Sequence, residues 1–208
     1  MNTKIEKLIK QFAKLPRVGG RAAQRITLAL LQDKTGKSAA LAAALIETAE
    51  NIKPCSICGC LTDNDIRYSD TVSGYRCEFC NNASRANGQL CLVRDLGDVW
   101  TLEKSGVFRG RYHIVGGLLS AAMGTTPDDL NIDNLSARVK DENITEIIFA
   151  LPNTVEGKTT QHFIMNNLRF EICDLKFTEL ASGVPLGGDL DYIDDGTLSI
   201  AFSGRKTI

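Results

Sequence analysis

The sequence predicts a multi-domain α/β protein with an N-terminal helical bundle, a small four-cysteine module, a parallel α/β domain and a short C-terminal extension. Three observations carry this. Apolar residues recur at helical spacing ahead of Pro54, two Cys-x-x-Cys pairs follow, and from Gln89 onward short β-rich runs alternate with helical stretches. The boundaries fall at 1–53, 54–82, 83–180 and 181–208. A chain of 208 residues is long enough for a real core. It shows no cleavable apolar leader and no apolar run of membrane length, so a soluble, cytoplasmic protein is expected.

The formal charge of −1 hides an asymmetry: residues 1–53 carry ten Lys/Arg against four Asp/Glu, a net +6, and the rest of the chain nets −7. The basic segment suits a polyanion; the acidic remainder is no nucleic-acid surface in its own right. Residues 3–14 place Ile5, Leu8, Ile9 and Phe12 on one helical face, with Lys4, Lys7, Lys10 and Lys14 mostly on the other, where they equally serve to solvate it. Pro16 stops this helix.

The run Leu15-Pro16-Arg17-Val18-Gly19-Gly20-Arg21-Ala22-Ala23-Gln24-Arg25-Ile26 has the pattern of a helix-hairpin-helix. Its turn offers backbone N–H groups at a helix N-terminus, where the dipole favours a phosphate. Arg21 and Arg25, four apart on one face, are the expected phosphate contacts, with the amides near Gly19. Arg17 stands where the motif usually has its first glycine. If that position needs positive φ, Arg17 is strained; if it does not, Arg17 is a third phosphate ligand. A plain helical hairpin packed through Leu15, Val18, Ile26 and Leu30 is the alternative. Ser38 is expected to cap a third helix whose buried stripe is Leu41, Leu45, Ile46 and Ala49.

Cys55-Ser56-Ile57-Cys58 and Cys77-Glu78-Phe79-Cys80 are separated by eighteen residues, a spacing within the range of a structural Zn²⁺ ribbon. Four thiolates leave no open coordination position, so such a metal is structural. Four reduced thiols, or two disulfides in an oxidising compartment, are the alternatives. Residues 59–76 read as the polar ribbon loop, Cys60 falls outside the ligand set because its offset breaks the turn, and 81–88 read as a connector. Cys91 and Cys173, each flanked by apolar residues, are expected in the core.

In the α/β part, strands are expected at 90–93, 112–115, 146–150 and 170–177, and helices at 96–104, 130–141 and 161–168. Such alternation implies right-handed βαβ units with helices on both faces of a parallel sheet. The ligand region then lies beyond the strand ends, at Arg94-Asp95, Gly116-Gly117 and the loop 151–158.

The order hairpin, four cysteines, α/β domain with Thr154-Val155-Glu156-Gly157, and then Gly183-Val184-Pro185-Leu186-Gly187-Gly188-Asp189-Leu190-Asp191-Tyr192, supported by Tyr112-His113-Ile114-Val115-Gly116-Gly117, resembles the RecR family of bacterial recombination mediators over essentially the whole chain. The resemblance implies that the α/β domain is a Toprim domain and that the protein is no enzyme. It implies a DNA clamp: a homo-oligomer, dimer or ring-shaped tetramer, joined through N- and C-terminal contacts. With RecO, and in some settings RecF, it would help RecA displace single-strand-binding protein in recombinational DNA repair, near the bacterial nucleoid. Glu156, on the acidic domain, is the expected partner-binding residue for RecO, an electrostatic match to a basic partner.

A catalytic Toprim site needs a Glu after its first strand and a later Asp-x-Asp to hold Mg²⁺. Here Arg94 follows the strand, Pro152-Asn153-Thr154 replaces the Asp-x-Asp, and Lys158 joins Arg94 in repelling a cation. A Mg²⁺-dependent nuclease or primase that recruits Asp95 or Asp189 instead is the alternative function, and a degenerate homologue tied only to a partner is a third. His113 and His162 have no nucleophile at motif spacing and read as core or surface residues. The Gly-rich run 183–188 lacks the Lys-Ser/Thr ending of a P-loop and reads as a shaped loop. The acids after it, Asp189 and Asp191, have been likened in the family to a nucleotide-site motif; they equally serve as caps for a C-terminal helix over 195–202, whose Ile200 and Phe202 would dock on a neighbouring subunit.

Overall fold

Helix α1 (Thr3–Phe12) presents Ile5, Leu8, Ile9 and Phe12 half-buried against α2 (Gly20–Gln32), and the buried Ala23 gives α2 its close face. The computed structural model describes residues 3–63, 74–184, 187 and 189–205. The chain divides into two units, Met1–Ile52 and Lys53–Ile208. In the first, α3 (Lys37–Asn51) begins after Gly36, which takes a left-handed φ of +84°. Asp33 Oδ2 accepts from Lys37 N at 2.7 Å, whereas Ser38 is no cap: its Oγ donates to Leu30 O at 2.6 Å and ties α3 to the end of α2. The stripe expected to be buried on α3 is exposed, Leu45 at 62% and Ile46 at 59%.

The second unit is built on a four-stranded parallel sheet, order β4-β3-β5-β6, from β3 (Gln89–Val93), β4 (Arg111–Ile114), β5 (Glu146–Ala150) and β6 (Lys176–Glu179). Strand alternation sorts the side chains onto two faces. Leu90, Leu92, Ile147 and Phe149 meet α6 (Leu135–Asp141) and α7 (Val155–Glu171) through Leu135, Val139, Ile164 and Leu168. On the other face Cys91, Val93, Tyr112 and Ile114 pack with Val99 of α5 (Leu96–Ser105) and with the cysteine module itself. That module holds a short two-stranded sheet, β1 (Ile52–Pro54) with β2 (Leu61–Asp63), and the single-turn helix α4 (Glu78–Asn81). The ribbon loop's residues 64–73 lie outside the described residues, as do Pro185, Leu186 and Gly188 of the C-terminal loop.

Three boundaries differ from expectation by more than one residue. α6 starts at Leu135 rather than 130 because the backbone ahead of it serves β4: Asn131 N donates to Val115 O at 2.8 Å and Asn131 Nδ2 to Ile114 O at 2.9 Å. α7 spans Val155–Glu171, absorbing the expected loop 155–158 and the residue Phe170 that was expected to open a strand. Its N-cap is Thr154, whose hydroxyl accepts from Gly157 N. β6 is therefore only Lys176–Glu179, and Cys173, ahead of it, is exposed rather than core. Cys91 is buried as expected, and burial pushes its thiol up to about 12. The last helix, α8 (Asp195–Ser203), is capped by Asp194, not by Asp189 or Asp191.

Candidate functional site

The hairpin turn ends at Gly19, the N-cap of α2, with φ −77° and ψ 166°. No side chain caps this helix, so its first-turn N–H groups have no acceptor from the N-cap. A Cβ built on Gly19 or Gly20 meets nothing within 4 Å, so the backbone is open to a close approach. Arg21 and Arg25 are exposed on the first two turns, and Arg17 is exposed at the turn; among the described residues no carboxylate pairs with any of the three. Arg17 does occupy the left-handed region, with φ +63°. The glycine that the motif usually carries there is thus replaced at a conformational cost, and the side chain is still free to reach an anion.

Cys55, Cys58, Cys77 and Cys80 bring their sulfurs within 4.8 Å of one another, all buried. The two knuckles place them: Cys55 N donates to Cys60 O at 2.7 Å, Gly59 N donates to Cys55 O, and Gly59 turns the chain at φ +77°. Cys77 is the N-cap of α4, which brings Cys80 back by one turn. Cys60 is buried outside the set, and its N–H points at Cys58 Sγ at 3.4 Å. Cys55 Sγ donates to Cys80 Sγ at 3.9 Å and the Cys58 and Cys77 sulfurs lie 3.4 Å apart; crowding by Cys55 first, then by the other thiols, pushes the Cys58 and Cys80 thiols above the ordinary range and holds Cys77 below it. Thiols this close cannot ionise together without a countercharge, and four soft donors around one point fit a tetrahedral Zn²⁺.

A buried polar network adjoins the cluster. Arg138 of α6 donates to Tyr112 O at 2.9 Å and to His113 Nδ1 at 3.0 Å, pairs with Glu142 Oε1 at 3.1 Å, and reaches Cys80 Sγ at 3.9 Å. Arg111 pairs with the other Glu142 oxygen at 2.9 Å. Burial would raise the Glu142 carboxyl, yet Arg138 and Arg111 hold it below the usual carboxylate range. His113 Nε2 contacts Asn131 O at 2.6 Å, so with Nδ1 accepting from Arg138 the ring is neutral with its proton on Nε2. Burial, followed by Arg138, lowers it to about 4. The sequence left His113 unassigned between core and surface and gave no signal for Arg138, because the partners lie far apart in the chain.

At the carboxyl end of the sheet, parallel register brings Arg94, Gly116 and the segment after Ala150 together: Val93 pairs with both Ile114 and Ala150, and Gly116 N donates to Arg94 O. Asp95 caps α5 and accepts from Arg94 Nε at 2.9 Å. Lys158 pairs with Glu179 at 2.6 Å. Glu156 is exposed in the first turn of α7. Its carbonyl accepts from the buried Thr160 hydroxyl, which in turn accepts from Leu119 N at 2.8 Å and so ties the loop after β4 to this helix. Among the described residues, the four cysteines are the one group of three or more potential metal ligands close enough to share an ion.

Residues 5–49 match the helix-hairpin-helix of RecR, residues 88–179 match the Toprim domain, and residues 183–206 match the C-terminal region of RecR. The chain is 45% identical to the recombination protein RecR of Cereibacter sphaeroides over 97% of its own length and 96% of that protein. It is 44% identical to the recombination protein RecR of Paracoccus denitrificans, over 98% of this chain and 96% of the relative. With that of a Ruegeria species it shares 44% identity over 100% and 98% of the two lengths.

Proposed function

The chain belongs to the RecR family of recombination proteins, and from that premise we infer a non-enzymatic DNA-binding mediator of recombinational repair. The observation that carries the DNA contact is the open N-terminus of α2, where Gly19 and Gly20 face free space near three exposed arginines that pair with no carboxylate among the described residues. Phosphates there meet backbone N–H groups, the helix dipole and the guanidinium groups of Arg17, Arg21 and Arg25, none of which reads a base. The exposed Leu41, Leu45 and Ile46 of α3, with Ile200 and Phe202 of α8, support the homo-oligomer, a dimer or ring-shaped tetramer whose encirclement keeps several weak contacts on one DNA. In this reading 1–53 holds DNA, 54–82 holds the metal, 83–180 receives the partner and 181–208 joins protomers.

Cys55, Cys58, Cys77 and Cys80 would hold Zn²⁺, which supplies a covalent-like cross-link and no open coordination position. Glu156 offers RecO an exposed carboxylate on the acidic unit, and RecF is a further partner; together they would help RecA load on DNA covered by single-strand-binding protein, in the bacterial cytoplasm at the nucleoid. Absence of Mg²⁺ chemistry is supported by the use already made of the nearby acid, since Asp95 caps α5 and is held by Arg94. Among the described residues no helix is long and apolar enough to cross a membrane.

The experiment is a salt titration of DNA affinity. The Arg21→Ala/Arg25→Ala variant is expected to bind more weakly, with the slope of log K against log salt smaller by about 2. Equal affinity and slope in parent and variant would take the hairpin out of the DNA contact.

A further inference from the structure

Helix α5 carries on its outer face a chemistry that the hairpin does not use. Trp100 is 65% exposed, and Val107, just past the Gly106 C-cap, is 77% exposed. Among the described residues no aromatic ring stacks on Trp100 and no cation caps it. One turn earlier stands Gly97, where an added Cβ would meet only Asp95 Oδ1 within 4 Å, so the helix there is bare backbone. One turn later stands the exposed Lys104, four residues on and therefore on the same face, with about 6 Å between the two Cβ atoms. The second unit is acidic overall, yet the acids of this helix are already taken. Arg94 pairs with Asp95 at 2.9 Å and with Asp98 at 3.7 Å, and Glu103 accepts from Arg85 and from the Tyr112 hydroxyl, each at 2.6 Å. Burial would raise the Glu103 carboxyl, but the bonds from Arg85 and Tyr112, then the charges of Arg85 and Arg109, hold it below the usual carboxylate range, which sets Arg109 beside the last turn of α5. Lys104 and Arg109 are both exposed and pair with no carboxylate among the described residues.

We propose that Trp100, with Lys104 and Arg109, is a stacking platform for a base of single-stranded DNA. An uncovered indole beside two free cations matches the two parts of a nucleotide: a flat base for the indole, and a phosphate for the ammonium and guanidinium groups. A duplex hides its base faces in the stack, so this platform takes an unpaired strand, whereas phosphate contacts at the α2 hairpin accept either form. An apolar protein partner would cover the indole as well, but it would leave Lys104 and Arg109 without a countercharge. The platform rests on the DNA-binding reading for its ligand and on none of the hairpin residues.

Trp100 is the chain's one tryptophan, so the intrinsic fluorescence of the zinc-loaded full chain reports on this site alone. The titrants are a short oligothymidylate, an abasic oligonucleotide of the same length and a blunt duplex. Oligothymidylate is expected to quench the emission by stacking; the abasic strand, with phosphates but no bases, is expected to bind more weakly and leave the emission unchanged. Trp100→Ala is expected to weaken oligothymidylate binding about tenfold, read by the anisotropy of a labelled strand, with duplex affinity and circular dichroism as in the parent. Trp100→Phe is expected to recover part of the loss. Lys104→Gln/Arg109→Gln is expected to shrink the salt slope for the single strand by about 1.4, as two lost phosphate contacts require. The Arg21→Ala/Arg25→Ala variant separates the two sites. Unchanged affinity with quenching intact removes the hairpin and keeps the platform; lost affinity in that variant, with no quenching in the parent, removes the platform and keeps the hairpin. No quenching at saturation, equal quenching by the abasic strand, or Trp100→Ala affinity equal to the parent's overturns the platform. So does emission that shifts with protein concentration alone, which would assign the indole to a second copy of the chain.

Discussion

Arg17 sits at φ +63°, where an L side chain crowds its own backbone at a cost of about 1–2 kcal/mol. Arg17→Gly relieves that strain but loosens the unfolded chain, so chemical denaturation is expected to show a net gain of about 0.5–1 kcal/mol. The same change deletes a charge at the hairpin, and DNA affinity is expected to fall while stability rises; a variant weaker in both would mean that Arg17 holds the turn together. His113 makes a second residue-scale case. Its ring is buried neutral with its pKa lowered to about 4, while the unfolded chain carries an ordinary histidine near 6.5. Between those values the unfolded state binds the extra proton, so stability rises with pH across that window and is lost as pH falls through it, by up to about 1.4 kcal/mol per unit. His113→Gln is expected to flatten that slope relative to the parent in melts taken from pH 4 to 7.

The α7 element turns on Gly157. A Cβ there would lie 1.9 Å from Pro152 O, so the helix can follow β5 this closely only without a side chain. Gly157→Ala is expected to destabilise the protein by about 3 kcal/mol in denaturant melts, and to displace the neighbouring Glu156. Reading the sequence recovered β5 at its observed bounds, because five apolar-rich residues between charged turns have one good interpretation. It placed the start of α7 late because Pro152-Asn153 reads as loop and hides the capping role of Thr154. The α3 stripe had the right period but the wrong fate, since periodicity says which face is apolar and not whether this chain covers it. Of the candidate site, the cysteine spacing and the hairpin arginines were legible locally; Arg138 and the Thr160 link depend on contacts between distant segments, which no local pattern encodes.

At the scale of the whole molecule, the cysteine cluster is part of the core of the second unit. Phe79, between two ligands of the second knuckle, packs edge-on against Tyr112 of β4 at 5.4 Å, and Ile114 N donates to Cys58 O at 2.8 Å. Stripping the metal is therefore expected to melt the parallel sheet as well as the knuckles. In circular dichroism and tryptophan fluorescence, chelator should lower the transition of the second unit, where Trp100 resides, by several kcal/mol, while a fragment covering the first unit should be indifferent to it. A cluster that empties without loss of sheet signal would make the metal peripheral.

The order of synthesis gives this shared core a further meaning. Cys55 to Cys80 leave the ribosome before the strands that bury them, so a metal captured early would stay on a solvent-exposed loop until Ile114 and then Arg138 have emerged. The last step that would seal a metal is thus made by residues translated well after its ligands, and a chain made during zinc shortage is expected to reach full length with one face of its sheet still lacking a floor.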